Sequence, residues 1–398
     1  MSLVALHRGE WRGKRVLDGK EVPVISAYFE DSADAGEPKS LPENSEAVST
    51  GTYFLGDGFM LAHDDAKKLI DLNPRNRDVL FPIINGQEIN NDPALQPGRS
   101  IINFFDWPIE KAAQYVEPFR LIELRVKPER EKQSDKIGRE KWWLFMRARI
   151  QAYEKIRSLP RCFASARTTK HLIVSACPTH WLFSDALNFF TTDRWDIYAI
   201  VQSTLHEIWA RKYSGALETR LRYSPSDCFD NFPFPASLWQ IANPALANLG
   251  EHYHEHRRAL MRQLWLGLTD IYNLFHTRDL TPAQVAKVSK KSVEEAEAGY
   301  QGILELRRLH RELDIAIRDA YGWPDLNLGH DFIEVETLPE NDRVRYTISP
   351  AARKEVLKYL LAENHRRAAA QKIASPVKTK TKSGRKSKND ETHGDLFT

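Results

Sequence analysis

The run from Ser214 to Phe229, closed by Asn231-Phe232-Pro233-Phe234-Pro235, holds the residues of this chain whose types and spacing suit a defined chemistry. If the part from Leu217 to Tyr223 is extended, Leu217, Thr219, Leu221 and Tyr223 turn to one side, and Glu218, Arg220 and Arg222 turn to the other. An arginine can pair in bidentate fashion with the two major-groove acceptors of guanine, and a carboxylate can accept from the amino group of cytosine. Glu218 and Arg220 together therefore suit the reading of one C·G pair. The same pattern also fits a plain surface strand whose local ion pair is worth under about 1 kcal/mol.

Catalytic machinery is harder to find. The chain has no Asn-Pro-Pro-aromatic motif of the kind that holds a flipped adenine, and no Gly-rich turn after a strand to receive S-adenosylmethionine. Asn73-Pro74-Arg75 and Asn243-Pro244-Ala245 share two letters with the first motif and read as turn or helix-boundary signals. Glu129-Arg130-Glu131-Lys132 resembles the acidic residues and lysine of a magnesium nuclease only superficially, because it falls in a charged, helical and solvated stretch rather than on a strand. His252 and His256 stand four apart, but without a further ligand His252-Tyr253-His254-Glu255-His256 reads as a solvated helix face rather than a metal site. His206-Glu207, inside an apolar run, reads as a packed or capping pair rather than a general base. Cys162, Cys177 and Cys228 are odd in number and far apart, so they read as buried thiols.

The elements that would position these residues suggest an α+β chain, with a mixed α/β domain followed by an all-helical C-terminal domain. Leu3 to Leu6 and Val16 to Ile25 read as a strand pair, giving a unit over 1–30, and the polar stretch 31–50 reads as a linker. Within 51–237, Asp64 and Asp106 are placed to cap helices, and Arg161 to Ala166 and His171 to Ala176 form a hairpin around Thr168-Thr169-Lys170. Trp195 to Tyr213 reads as one amphipathic helix. In 238–367, Leu306, Leu309, Leu313 and Ile317 recur at helical spacing. A strand at Val344 to Ile348 leads through Ser349-Pro350 into a helix ending near Arg367. Residues 368–398 read as a disordered basic tail with a general attraction for phosphates.

A formal net charge of +3 is too small to argue for nucleic acid by itself, so the distribution of charge matters more. Basic and aromatic residues mix in Arg139-Glu140-Lys141-Trp142-Trp143 and Trp209-Ala210-Arg211-Lys212-Tyr213, a mixture that suits either a phosphate-facing surface or a core rim. There is neither a membrane-spanning run nor a secretion signal, so a cytoplasmic location with no membrane partner is expected.

Several further segments carry a resemblance. Phe54-Leu55-Gly56-Asp57-Gly58-Phe59, Asn85-Gly86, Ile102-Asn103-Phe104-Phe105-Asp106-Trp107-Pro108, Val126-Lys127-Pro128-Glu129-Arg130, Arg139 to Trp143 and Leu221 to Phe229 resemble the target-recognition region of MmeI-like restriction-modification enzymes. The likeness continues through Leu268 to Phe275 and Asp319-Ala320-Tyr321-Gly322-Trp323, from about Gly51 to Arg367. Such enzymes fuse an adenine-specific methyltransferase to a recognition domain, often with an N-terminal nuclease. The resemblance implies that Glu218 and Arg220 are base readers of double-stranded DNA; Arg222, Arg211, Arg167 and Lys170 are candidates for backbone contacts, although no motif assigns them.

The resemblance also implies that catalysis and S-adenosylmethionine belong to a methyltransferase domain or partner chain, with no cofactor, metal or catalytic residue in this one. The opening strands would be the end of a methyltransferase sheet, and the chain a gene fragment, a split subunit or a mis-started gene. Two readings of other classes stand beside this one: a metal-dependent nuclease with an unrecognised site, and an inactive helical assembly fragment.

Overall fold

In the computed structural model of this chain, the described residues are 8–9, 11–17, 19–25, 36–217, 220–335, 338 and 340–374. Two four-stranded sheets form its centre. The first is antiparallel, in the order Val48–Thr50, Leu187–Phe190, Cys162–Ala166, Val174–Cys177. All five residues of Cys162–Ala166 and all four of Leu187–Phe190 are buried. A strand covered on both faces reads as an apolar run rather than an alternation. The second sheet runs Leu182–Phe183, Leu80–Ile84, Arg99–Ile102, Met60–Leu61, with the first pair parallel.

Gly51 lies where the sheets meet. A Cβ there would overlap the carbonyls of Phe183 and Ser184, so only glycine fits. A small third sheet hangs from the first. After Arg167 the chain leaves Cys162–Ala166, and Thr168–Thr169 pairs antiparallel with Arg220–Arg222, which in turn pairs with Gly215–Leu217.

The expected helix from Trp195 to Tyr213 is two helices, Trp195–Gln202 and Thr204–Tyr213. Ser203 separates them, because its extended backbone ends the first while its Oγ accepts from the His206 N–H to cap the second. Asn243 caps Pro244–Leu264 in the same manner. The 28-residue helix Val293–Ala320 opens with a capping box of Ser292 and Glu295, and its Leu306, Leu309, Leu313 and Ile317 are all buried. The last helix, Pro350–Ala374, starts with Ser349 Oγ accepting from the Ala352 N–H and runs past Arg367.

These helices are fastened to the first sheet through buried polar groups. Arg257, fully buried, donates to the Val174 carbonyl at 2.6 Å and to Gln202 Oε1 at 3.0 Å, and His254 Nε2 accepts from the Ala176 N–H at 3.0 Å. A buried guanidinium is tolerated only when its donors are matched in this way. The result is α+β, with one apolar core running from the sheets into the helices.

Several expectations change. Within the expected linker, Leu41 is buried, Asn44 donates to the Phe229 and Phe232 carbonyls at 3.0 and 2.7 Å, and Val48–Thr50 is an edge strand, so this stretch belongs to the body. The opening pair is a hairpin of Arg15–Leu17 and Lys20–Val22; Leu3 to Leu6 lie outside the described residues, as does the tail beyond 374. Asp64 lies in the first turn of His63–Leu72, which starts after Ala62, and Asp106 caps nothing because its helix, Ile109–Ala112, starts after Pro108.

Arg130, read as solvated, is fully buried and donates to the Phe54 carbonyl at 2.6 Å. Tyr253 and His254 face the core rather than solvent, because the helix that carries them lies against the first sheet. Trp142, Trp143 and Trp209 are likewise core side chains. The hairpin Asp331–Glu334 with Val344–Thr347 interrupts the helical half. All three cysteines are free and buried. No helix among the described residues is long and apolar enough to cross a membrane.

Candidate nucleic-acid interface

The segment expected to be one extended run is a tight hairpin. Leu217 stands opposite Arg220 and Gly215 opposite Arg222, so the chain reverses between them. Glu218 and Thr219 lie outside the described residues. Of the expected ridge of Glu218, Arg220 and Arg222, only the two arginines are among the described residues. Leu221 and Tyr223 point into the core, at 3% and 0% exposure, while Arg220 and Arg222 are exposed.

The inward residues fix the outward ones. Tyr223 hydrogen-bonds through its hydroxyl to His206 Nε2 at 2.8 Å, and its N–H donates to the Arg167 carbonyl at 2.8 Å. Its own carbonyl accepts from Asn188 Nδ2 at 3.0 Å. Ser214 Oγ closes the base of the hairpin by donating to the Arg222 carbonyl at 2.5 Å and accepting from the Ser224 N–H at 2.8 Å. His206 is thus a packed residue. Burial alone pushes its imidazole down to about 3, so it is neutral near pH 7.

Arg167, Lys170, Arg220 and Arg222 line one cleft of about 890 Å³. The guanidiniums of Arg167, Arg220 and Arg222 make no hydrogen bond or ion pair with a described residue. Arg211 does not line the cleft. It pairs with Glu207 at 2.7 Å and donates to the Lys170 carbonyl at 2.9 Å, so it fixes the loop carrying Lys170. Lys170 Nζ bonds Asn273 Oδ1 at 2.7 Å and Asp342 Oδ1 at 2.8 Å.

Residues that were not singled out in the sequence complete the cleft. Gln87 and Asn90 come from the helix Gly86–Asn91, which a capping box of Asn85 and Glu88 starts. Asp185 comes from the turn joining the two sheets, and Asp342 and Arg345 come from the C-terminal hairpin region. Five cations thus share the cleft with two carboxylates. The imidazole at its floor is neutral near pH 7: His171 is pushed down to about 3 by burial first and then by the charge of Arg345. The stacked ring of His276, 5.0 Å away, is lowered by burial and then by His171 and Arg345. Gly86 and Thr269 lie in segments that carry the resemblance, whereas Asp342 and Arg345 meet Lys170 through tertiary contacts that no local spacing announces.

A family model of the MmeI target recognition domain matches residues 37–236, half of the chain. The chain belongs to that family. The MmeI target recognition match takes in both central sheets and the arginine hairpin, while Asp342 and Arg345 lie beyond it. A solved structure of the type IIL restriction-modification enzyme MmeI in complex with DNA shares the fold, with a TM-score of 0.56 at 15% identity over 88% of this chain. This chain spans 39% of that protein. No curated protein matches.

Proposed function

We propose that this chain is the DNA-reading module of an MmeI-like restriction-modification enzyme and grips double-stranded DNA in the arginine-lined cleft. The observation that carries this reading is the set of three guanidiniums, Arg167, Arg220 and Arg222, that have no partner among the described residues and are held at one cleft by a buried frame in a member of this family. Phosphate contacts fix register and orientation on a duplex, and base-edge contacts carry sequence.

Arg220, exposed at the hairpin, suits a bidentate pair with guanine, and Glu218, two residues earlier in the sequence, is the acceptor we assign to the paired cytosine. Arg222, Arg167 and Lys170 serve the backbone, with Arg211 positioning Lys170 from behind. Methyl transfer to a flipped adenine then falls to a companion domain or chain that holds S-adenosylmethionine, in the cytoplasm where the DNA lies.

The test is selection of duplexes from a random library by the purified chain, followed by titration at several salt concentrations. Sequence-preferring binding that weakens steeply with salt is expected, with a log-log slope of roughly −0.9 for each phosphate contacted. The exchange Glu218→Lys with Arg220→Asp should change the preferred base pair. Selection of the same sites by the doubly substituted chain would remove both residues from the reading role. An absence of duplex binding at low salt, alone and with a companion methyltransferase chain, would remove the proposed function.

A further inference from the structure

Lys170 and Arg345, which come from segments far apart in the chain, meet at the cleft wall on a single carboxylate. Asp342 Oδ1 accepts from Arg345 Nη1 at 2.9 Å and forms an ion pair with Lys170 Nζ at 2.8 Å, while Asp342 Oδ2 lies 2.7 Å from Arg345 Nη2, a buried nitrogen with no hydrogen-bond partner among the described residues. We propose that Lys170 and Arg345 form a backbone-phosphate subsite in which Asp342 stands in for the phosphate until a duplex displaces it. This inference rests on the DNA-reading function proposed above and extends the interface to a residue outside the matched 37–236 region.

Three observations favour a displaceable carboxylate over a purely structural triad. First, all three side chains line the cleft, where Lys170 and Asp342 are 36% and 17% exposed and Arg345, at 8%, stands behind them. Second, the backbone segments that carry the cations are anchored independently of Asp342. Arg345 lies in a strand paired with Ile333, and Lys170 is held through its carbonyl by Arg211 and through Nζ by Asn273. Asp342, by contrast, closes a single 3-10 turn, Glu340–Asp342.

Third, a planar guanidinium fork beside an ammonium is an arrangement that binds phosphate as readily as carboxylate, and phosphate brings more acceptor oxygens. Burial works against ionisation of Asp342, but hydrogen bonds from Arg345 and Lys170 outweigh it and hold the group at about 2. The surrogate is therefore an anion throughout the neutral range. A duplex that takes its place exchanges one anion for another, without first desolvating bare cations.

The decisive variant is Asp342→Asn in the full chain, which keeps the side-chain shape and removes the charge. Its affinity for duplexes of any sequence should rise about threefold to tenfold at moderate salt, while its log-log salt slope stays near that of the parent, because the same phosphates are contacted once the carboxylate is displaced. The preferred sequence should not change. Lys170→Ala and Arg345→Ala should weaken all duplexes and abolish the gain when combined with Asp342→Asn.

Unchanged or weaker binding by a folded Asp342→Asn chain would overturn the proposal. Thermal unfolding with inorganic tripolyphosphate provides a second measurement that does not depend on DNA. It should stabilise Asp342→Asn more than the parent and leave Asp342→Asn/Lys170→Ala at the parent level, and equal shifts in all three would also overturn the subsite. A parent chain that binds no duplex would sink the DNA-reading function, while the tripolyphosphate comparison would still decide the subsite.

Discussion

Arg220 and Arg222 share a strand and an exposure, but their expected contributions differ in kind. Replacing Arg220 with alanine should cost about 1–3 kcal/mol on the preferred duplex and relax the choice at one base pair, as loss of a bidentate base contact does. Replacing Arg222 should weaken binding by a similar factor on every sequence and reduce the salt slope by about one. Parallel titrations on the selected site and on single-base variants separate the two outcomes, and identical profiles would contradict the assignment. Tyr223, between them and the core, affects stability. Tyr223→Phe strands the Nε2 of His206, whose Nδ1 already lacks a partner among the described residues. A loss of about 1–3 kcal/mol in urea unfolding is expected, the cost of a buried polar atom without a bond. The inward Leu221 and Tyr223 and the outward arginines were legible from a period of two. The triad of Lys170, Asp342 and Arg345 was not, because nothing local links its members.

The helices show where periodicity suffices and where packing overrides it. Leu306 to Ile317 announced their helix, since one face meets the core and caps mark the start. Trp195 to Tyr213 concealed a break, because Trp195–Gln202 is buried all round and so offers no one-sided face whose phase would shift at Ser203. The short, doubly covered strands of the first sheet hid their register for the same reason. Gly250 marks the crossing of Pro244–Leu264 over Trp195–Gln202, where a Cβ would stand 2.5 Å from the Trp195 carbonyl oxygen. That oxygen belongs to backbone and cannot turn aside. Gly250→Ala should therefore destabilise by about 1–3 kcal/mol, a typical cost of overpacking, and thermal unfolding would register it. An unchanged midpoint would mean that the two helices separate more easily than their contact suggests.

At the scale of the whole molecule, buried imidazoles couple folding to pH. His171 and His206 are pushed down to about 3 and His254 to about 4, mainly by burial, and His276 and His310 are also lowered. A histidine held neutral in the folded state takes up its proton more readily when unfolded. Its contribution is therefore complete above the unfolded value near 6.5 and is lost as pH falls from there toward the folded value. Thermal midpoints should hold steady from pH 8 to about 7 and drop progressively below 6.5, and a midpoint unchanged at pH 5 would contradict the burial of these rings. The α+β class and the helical second half were evident from composition and spacing. The fastening of that half to the sheets was not, because His254 lay in a stretch read as a solvated helix face and nothing local to Arg257 announces the sheet that packs against it.

The hairpin that carries Arg220 and Arg222 is joined through Thr168–Thr169 to a fully covered central strand. Mutation at its solvent-facing positions disturbs no interior contact, so a lineage can sample new partners there while its folding free energy stays level. The cost of such drift falls instead on affinity.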